Sequence, residues 1–204
     1  MQFETRSGLP VEVRAADGGA IVVEGYAAVF NQPTDIGGMF TEVIAPGAFR
    51  SALSRGDDVE FLINHGGLPL ARSTAGNLTM EEDAHGLKIR AELDPSDPDV
   101  QRIVPKMRGK MLDQMSFAFR AIDQEWETPA DGQDVRTIKD VALFDVSIVN
   151  RGAYPQTEIA LRSRDEVKAD REKIAKLERE AKRACIAARK AKQEQAFRRI
   201  HKDA

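Results

Sequence analysis

The feature that most constrains this chain is the run Met115-Ser116-Phe117-Ala118-Phe119, in which large apolar residues alternate with small ones. A β-strand places successive side chains on opposite faces, so the alternation predicts a strand with the methionine and both phenylalanines on one face. That apolar face needs a hydrophobic core to cover it. Ser116 is then held on the opposite face of a rigid strand.

Similar apolar runs recur through the first 150 residues and predict a mainly β (α+β) domain. A turn at residues 17–19, with the sequence Asp-Gly-Gly, is typical of a hairpin. Strands are predicted at 11–13, 21–30, 40–44, 59–65, 75–81, 87–93, 114–125 and 135–149, with an edge strand or an extended connection at 68–73. Short helices are predicted at 48–53 and 99–108.

The bulk composition excludes several classes of protein. The chain has 204 residues, enough for one domain and an appendage. It contains no run of about 18 apolar residues, so we expect no membrane span, and its N-terminus lacks the apolar stretch of a signal peptide. The single cysteine, Cys185, excludes an internal disulfide and a multi-cysteine zinc site. Its histidines are scattered in sequence, and we expect no metal or cofactor.

The charge distribution divides the chain in two. Residues 163–204 carry 14 basic and 8 acidic side chains, a net charge of +6, whereas the other 162 residues carry 16 basic and 25 acidic ones, a net charge of −9. From Arg164 onwards there is no proline or glycine, which predicts a helix. We therefore predict a domain at 1–162 and a basic helical tail at 163–204. Such a tail is typical of a partner-binding segment, and its interleaved acidic residues argue against nucleic acid.

Two other predicted strands carry residues that suit Ser116 as partners. The run 59–65 ends in His65, and the run 143–149 contains Asp145. A serine, a histidine and an acid supply a nucleophile, a base and an orienting group. Two simpler interpretations stay open, namely that His65 is a satisfied structural residue and that Asp145 lies on an edge strand and faces water.

Other chemistries receive less support from the sequence. Lys106 and Lys110 precede Ser116, which makes a serine–lysine dyad conceivable. The acidic run at 94–99 lacks the spacing of a calcium loop and indicates instead a turn and a helix cap. The sequence contains no Walker loop, GxGxxG, HExxH or GxSxG motif.

Five segments, taken in order, resemble the prohead serine proteases of tailed bacteriophages of the HK97-like type, which are related in fold to the herpesvirus assemblins. Each segment alone is short, but the ordered set spans about residues 20–160. The segments are EGYAAVF at 24–30, EVIAPGAF at 42–49, NH at 64–65 with PLAR at 69–72, QMSFAF at 114–119, and LFDVSIV at 143–149 followed by AYP at 153–155.

This resemblance implies a serine endopeptidase with a β-barrel-like core and assigns roles to three residues. Ser116 is the nucleophile and His65 the base. Asp145 falls where the family carries an acid, more often glutamate. Gly66 is a second departure, since the family often has aspartate after the histidine.

The resemblance also implies an oxyanion hole, a place of action and a set of partners. By analogy with the assemblins, backbone N–H groups near Arg151 and Gly152 form the oxyanion hole. The enzyme is expected inside the assembling procapsid in the host bacterial cytoplasm, where it cleaves scaffold, or the scaffolding segment of the major capsid protein, and itself. The tail would dock on these partners and be removed by self-cleavage, and the assemblins suggest a homodimer. The alternative is a non-enzymatic assembly scaffold with a capsid-binding tail.

Overall fold

The fold is seen in a computed structural model that describes residues 3–15, 21–130 and 132–150, together with several positions between 165 and 183. Strands dominate these residues, which confirms the mainly β prediction. In chain order the elements are β1 (Glu4–Ala15), β2 (Ile21–Val29), β3 (Thr34–Ile36), β4 (Phe40–Ile44), α1 (Arg50–Arg55), β5 (Glu60–Ile63), β6 (Gly66–Arg72), a 3-10 turn (Ser73–Ala75), β7 (Leu78–Glu82), β8 (Gly86–Leu93), α2 (Pro98–Arg108), β9 (Gln114–Glu127) and β10 (Val135–Val149).

The strands pair in the order β3-β4-β10-β9-β1-β2-β8-β7. Strand β1 is long enough to join two parts of this sheet, because residues 4–10 pair with β9 and residues 11–15 pair with β2. Strand β5 runs parallel to β10 and carries β6 on its other side. The two longest strands, β9 and β10, therefore lie at the centre of the arrangement.

The alternation predicted for β9 is confirmed. Met115, Phe117 and Phe119 all belong to the hydrophobic core, where they meet apolar residues of β10 and of both helices. Helix α2 begins as the acidic run suggested, since the Asp97 carboxylate accepts a hydrogen bond from the Asp99 amide at 2.7 Å. Ser116 is not part of the core cluster and faces the other side of the sheet.

A β-bulge in β10 changes which residues share a face. Leu143 pairs with Phe119, but Asp145 pairs with Ala118, so β10 uses one extra residue at this point. Regular alternation along the strand predicted at 135–149 would place Leu143 and Asp145 on the same face, and the structure shows that they lie on opposite faces. Leu143 lies in the core, whereas the bulge turns Asp145 away from the core cluster.

The strand predicted at 59–65 ends earlier than expected. Strand β5 stops at Ile63, and Asn64 and His65 form the two-residue turn that leads into β6. Both turn residues have positive φ angles, +52° and +56°. Two consecutive residues with positive φ are typical of the type I′ hairpin turn, whose twist suits antiparallel strands. The glycines after His65 begin β6 instead of ending β5.

A buried network of four charged side chains joins β1, β4 and β10. Arg136 donates to both carboxylate oxygens of Glu4, at 2.6 and 2.8 Å, and to Glu42 at 2.9 Å. Arg6 donates to the same two carboxylates, at 2.8 Å in each case. None of the four is more than 6% exposed. Two arginines and two glutamates cancel in charge, which allows their burial.

The chain separates into two compact units, Met1–Ile159 and Ala160–Ala204. The described positions of the second unit, which fall between residues 165 and 183, are all helical. Among the described residues, no helix has both the length and the apolar character needed to cross a membrane. The assignment of 1–162 as a protease domain and 163–204 as a partner-binding tail remains a prediction.

The buried network predicts a loss of stability in acid. Burial raises the pKa of the Glu4 carboxyl, but hydrogen bonds and positive charge from Arg136 and Arg6 outweigh it and hold that pKa below its ordinary value of 4.5. A carboxyl group whose pKa is lower in the folded than in the unfolded protein stabilises the fold at pH values above its ordinary pKa. This stabilisation is lost as the pH falls through the pKa of the folded state. Wild-type protein should therefore lose stability as the pH falls below 4.5.

Urea unfolding of a Glu4→Gln variant across this pH range tests the prediction. At neutral pH the variant should be less stable by about 3 kcal/mol, because it leaves buried arginines short of a carboxylate. At pH values below the titration of Glu4, the difference in stability between the variant and wild type should shrink. Glu81→Gln is the control, since that carboxylate is 66% exposed beside Lys88 and should change stability by less than about 1 kcal/mol. A difference in stability that does not depend on pH would contradict the assignment of the loss in acid to Glu4.

Candidate active site

Ser116 lies near the start of β9, directly across from Ser147 on β10. Its hydroxyl oxygen is 2.6 Å from Nε2 of His65. It also donates a hydrogen bond of 2.8 Å to the backbone carbonyl of Arg6, on the neighbouring strand β1. Ser116 is only 1% exposed. The serine is thus in hydrogen-bond contact with the histidine that the sequence suggested.

His65 is fixed by its turn, which is tied to the end of β10. The Asn64 amide donates to the Ile148 carbonyl at 3.0 Å, and the Asn150 amide donates to the Asn64 side-chain oxygen at 3.2 Å. The His65 amide donates to the Ser147 hydroxyl oxygen at 3.3 Å. Asparagine adopts positive φ angles more readily than most residues, which suits it to the first position of the turn. The turn therefore presents the imidazole to β9 and β10 in one orientation.

Asp145 contacts the other ring nitrogen of the histidine. Its Oδ1 atom is 2.6 Å from Nδ1 of His65, and the residue is 6% exposed. A buried carboxylate needs hydrogen-bond donors, and an Nδ1–H group supplies one. When Nδ1 carries the proton, the neutral ring has a free lone pair on Nε2, facing Ser116. This is the arrangement of nucleophile, base and orienting acid in serine hydrolases.

The Ser116 hydroxyl has one proton and two acceptors within reach, Nε2 of His65 and the carbonyl of Arg6. A rotation about the Cβ–Oγ bond moves the proton from one acceptor to the other without moving any heavier atom. Only the orientation towards Nε2 prepares the serine for proton transfer.

The structure brings together the three residues predicted as a catalytic set. It removes the simpler interpretation of Asp145, because the carboxylate is buried and paired instead of facing water. Arg151 and Gly152, predicted as oxyanion donors, lie outside the described residues. Neither Lys106 nor Lys110 is a hydrogen-bond partner of Ser116 in the described part of the chain, so a serine–lysine dyad receives no support there.

Two contacts were missed at the sequence level. Ser147 is one: it lies two residues after Asp145, on the same face of β10, so its position in the printed sequence was a usable signal. Arg6 is the other, and nothing in the sequence links its carbonyl to Ser116. Across the described residues, no group of three or more histidine, cysteine, aspartate or glutamate side chains is placed to hold a metal ion.

A family model described as caudovirus prohead serine protease matches residues 9–171. That range covers most of the chain and includes Ser116, His65 and Asp145. The chain belongs to the caudovirus prohead serine protease family. The predicted resemblance to phage prohead proteases is thereby confirmed, and membership places the chain among the serine proteases of tailed-phage proheads.

Among solved structures, the prohead protease is similar to the bacteriophage T4 capsid assembly protease gp21. The match has a TM-score of 0.50 and 10% sequence identity, and it covers 72% of this chain and 97% of the T4 chain. At this identity the likeness concerns the fold alone. No curated protein sequence matches the chain.

Proposed function

We propose that the chain is a serine endopeptidase in which Ser116 is the nucleophile, His65 the general base and Asp145 the orienting acid. The observation that carries the proposal is the continuous hydrogen-bonded line from Ser116 through both ring nitrogens of His65 to Asp145, with 2.6 Å at each step. The family match supports the same chemistry.

The proposed reaction is an acyl transfer in two stages. Nε2 of His65 takes the Ser116 proton while Oγ bonds to the carbonyl carbon of the scissile peptide. The resulting imidazolium, stabilised by the Asp145 carboxylate, gives that proton to the leaving amine as the C–N bond breaks. A water molecule, deprotonated by the same histidine, then attacks the acyl-enzyme and releases the second product with Ser116 restored.

Arg151 and Gly152 are retained in this proposal as donors to the oxyanion. Their support comes from the adjoining residue, because the Asn150 amide donates to the Asn64 side chain within the His65 turn. Backbone N–H donors directed at the developing oxyanion are what a tetrahedral intermediate on Ser116 requires.

Substrate binding must uncover the nucleophile. Ser116 is 1% exposed, and attack requires the scissile carbonyl within about 3–3.5 Å of its oxygen. The same burial is the observation that favours the alternative, a non-enzymatic assembly scaffold in which Ser116 is merely a small residue of a strand. Reactivity of the serine separates these two functions.

The first prediction is that a fluorophosphonate probe labels the full-length chain at Ser116. Wild-type protein should be labelled, and Ser116→Ala should lose both the label and self-cleavage, with proteolysis falling by at least about 10⁴-fold. Ser54→Ala is the control, because this serine lies exposed in α1 and should leave labelling unchanged. Peptide mapping of the labelled protein gives the site. A folded wild-type chain that stays unlabelled would support the scaffold instead.

The second prediction concerns Asp145. Asp145→Asn keeps the size of the side chain but removes the charge that stabilises an imidazolium, and its amide group can favour the wrong tautomer of His65. We expect the rate of fluorophosphonate labelling to fall by about 10³- to 10⁴-fold with the fold retained. Circular dichroism checks the fold. A labelling rate within about threefold of wild type would show that Asp145 is not one of the proposed catalytic residues.

The proposed substrates are scaffold, or the scaffolding segment of the major capsid protein, and the chain itself. We propose that the basic tail at 163–204 brings the protease to these partners. The support is the change from a body of net charge −9 to a tail of net charge +6. Charge of this kind guides association between proteins and raises its rate.

Deleting residues 164–204 tests the docking role. The truncated chain should react with fluorophosphonate at the wild-type rate but should be packaged into proheads at a much lower level, because the interaction segment is gone. Immunoblots of purified proheads measure packaging. Normal packaging of the truncated chain would contradict the docking proposal. Loss of fluorophosphonate labelling would show instead that the deletion damages the protease domain.

A further inference from the structure

Ser147 is a fully buried residue that contacts two members of the proposed catalytic set. It lies on β10 directly across from Ser116, and its exposure is 0%. Its neighbours along the strand, Val146 and Ile148, belong to the hydrophobic core. A hydroxyl buried at such a position is costly unless its hydrogen bonds are made.

The Ser147 hydroxyl makes those bonds to Asp145 and His65. Its oxygen is 2.7 Å from Oδ1 of Asp145, and a carboxylate has no proton to give, so Ser147 is the donor. The same oxygen accepts from the His65 amide at 3.3 Å. It also lies 3.3 Å from Nδ1 of the His65 ring. With the hydroxyl proton committed to Asp145, the Ser147 lone pairs face the histidine.

This placement discriminates between the two neutral forms of the imidazole. When Nδ1 carries the proton, both Asp145 Oδ1 and the Ser147 oxygen face an N–H group. When the proton sits on Nε2 instead, Nδ1 presents a lone pair to two oxygens, and Ser147 can donate to that nitrogen only by giving up its hydrogen bond to Asp145. Ser147 thus favours the form in which Nε2 is free to accept the Ser116 proton.

We infer that Ser147 is a positioning residue: it selects the Nδ1–H tautomer of His65 and holds the Asp145 carboxylate in line with that nitrogen. The need for such a residue follows from the local geometry. His65 sits in a two-residue turn at a φ of +56°, and its amide is held by the Ser147 hydroxyl. One side chain therefore fixes both the main chain that carries the base and the acid that orients it.

This inference rests on the proposed function, and its test uses the full-length chain. Ser147→Ala should lower the rate of fluorophosphonate labelling at Ser116 by about 10- to 100-fold, as expected when a catalytic group is displaced slightly from its productive geometry. Ser147→Cys, which keeps nearly the same volume but donates a hydrogen bond only weakly, should act in the same direction and serves if the alanine variant does not fold.

Ser73→Ala is the matched control. The Ser73 hydroxyl is half-buried and makes two hydrogen bonds to the backbone, accepting from the Val59 amide at 2.9 Å and donating to the Asp57 carbonyl at 3.2 Å. It touches neither His65 nor Asp145. Its loss should lower stability in the way that a lost hydrogen bond does, and should leave the labelling rate within about threefold of wild type.

The tautomer of His65 can be measured, and it would not change if Ser147 had a purely structural role. In ¹⁵N spectra of the imidazole, assigned by their absence from a His65→Gln chain, wild type and Ser73→Ala should show the Nδ1–H form of His65. Ser147→Ala should show a shift towards the other form. A labelling rate and a tautomer both unchanged in Ser147→Ala would overturn the inference. A wild-type chain that never labels at Ser116 would instead refute the proposed function.

Discussion

The antiparallel pairing of β9 with β10 is the constraint on which the site and the core both depend. These strands, of 14 and 15 residues, place Met115, Phe117 and Phe119 in the core and Ser116 on the opposite face. The bulge in β10 then changes which face Asp145 occupies, since it leaves Leu143 in the core while turning Asp145 towards the site. Without the extra residue the acid would point the wrong way for its partner.

Much of this fold could be predicted from period-two patterns. Long strands repeat the alternation often enough to be recognised, and β10 was predicted at 135–149, the range it occupies. The three-residue strand β3 was missed because it is too short to show a period. The bulge produces no recognisable pattern in the sequence of β10, since its extra residue is defined only by the pairing with β9. The strand predicted through His65 failed because Asn64 is the start of a turn.

The site was predicted in residue type and order but not in geometry. A serine, a histidine and an acid on three predicted strands indicated a shared site, and Ser116, His65 and Asp145 do meet. Ser147 was missed because its position two residues after Asp145 indicates only a shared face, and its contact with His65 depends on a turn that was not predicted. The charged network was missed for a similar reason, as its members come from strands far apart in sequence and their charges show no pattern until the strands pair.

Arg6 links the charged network to the proposed nucleophile. Its guanidinium is held by Glu4 and Glu42, and its carbonyl accepts the Ser116 hydroxyl. Because the four charges of the network sum to zero, the network holds the main chain beside Ser116 in place and adds little net electric field there. A peptide carbonyl accepts a hydrogen bond but is too weak a base to remove the proton, whereas imidazole is strong enough. The carbonyl therefore competes for the orientation of the hydroxyl, and the histidine alone can carry the reaction forward.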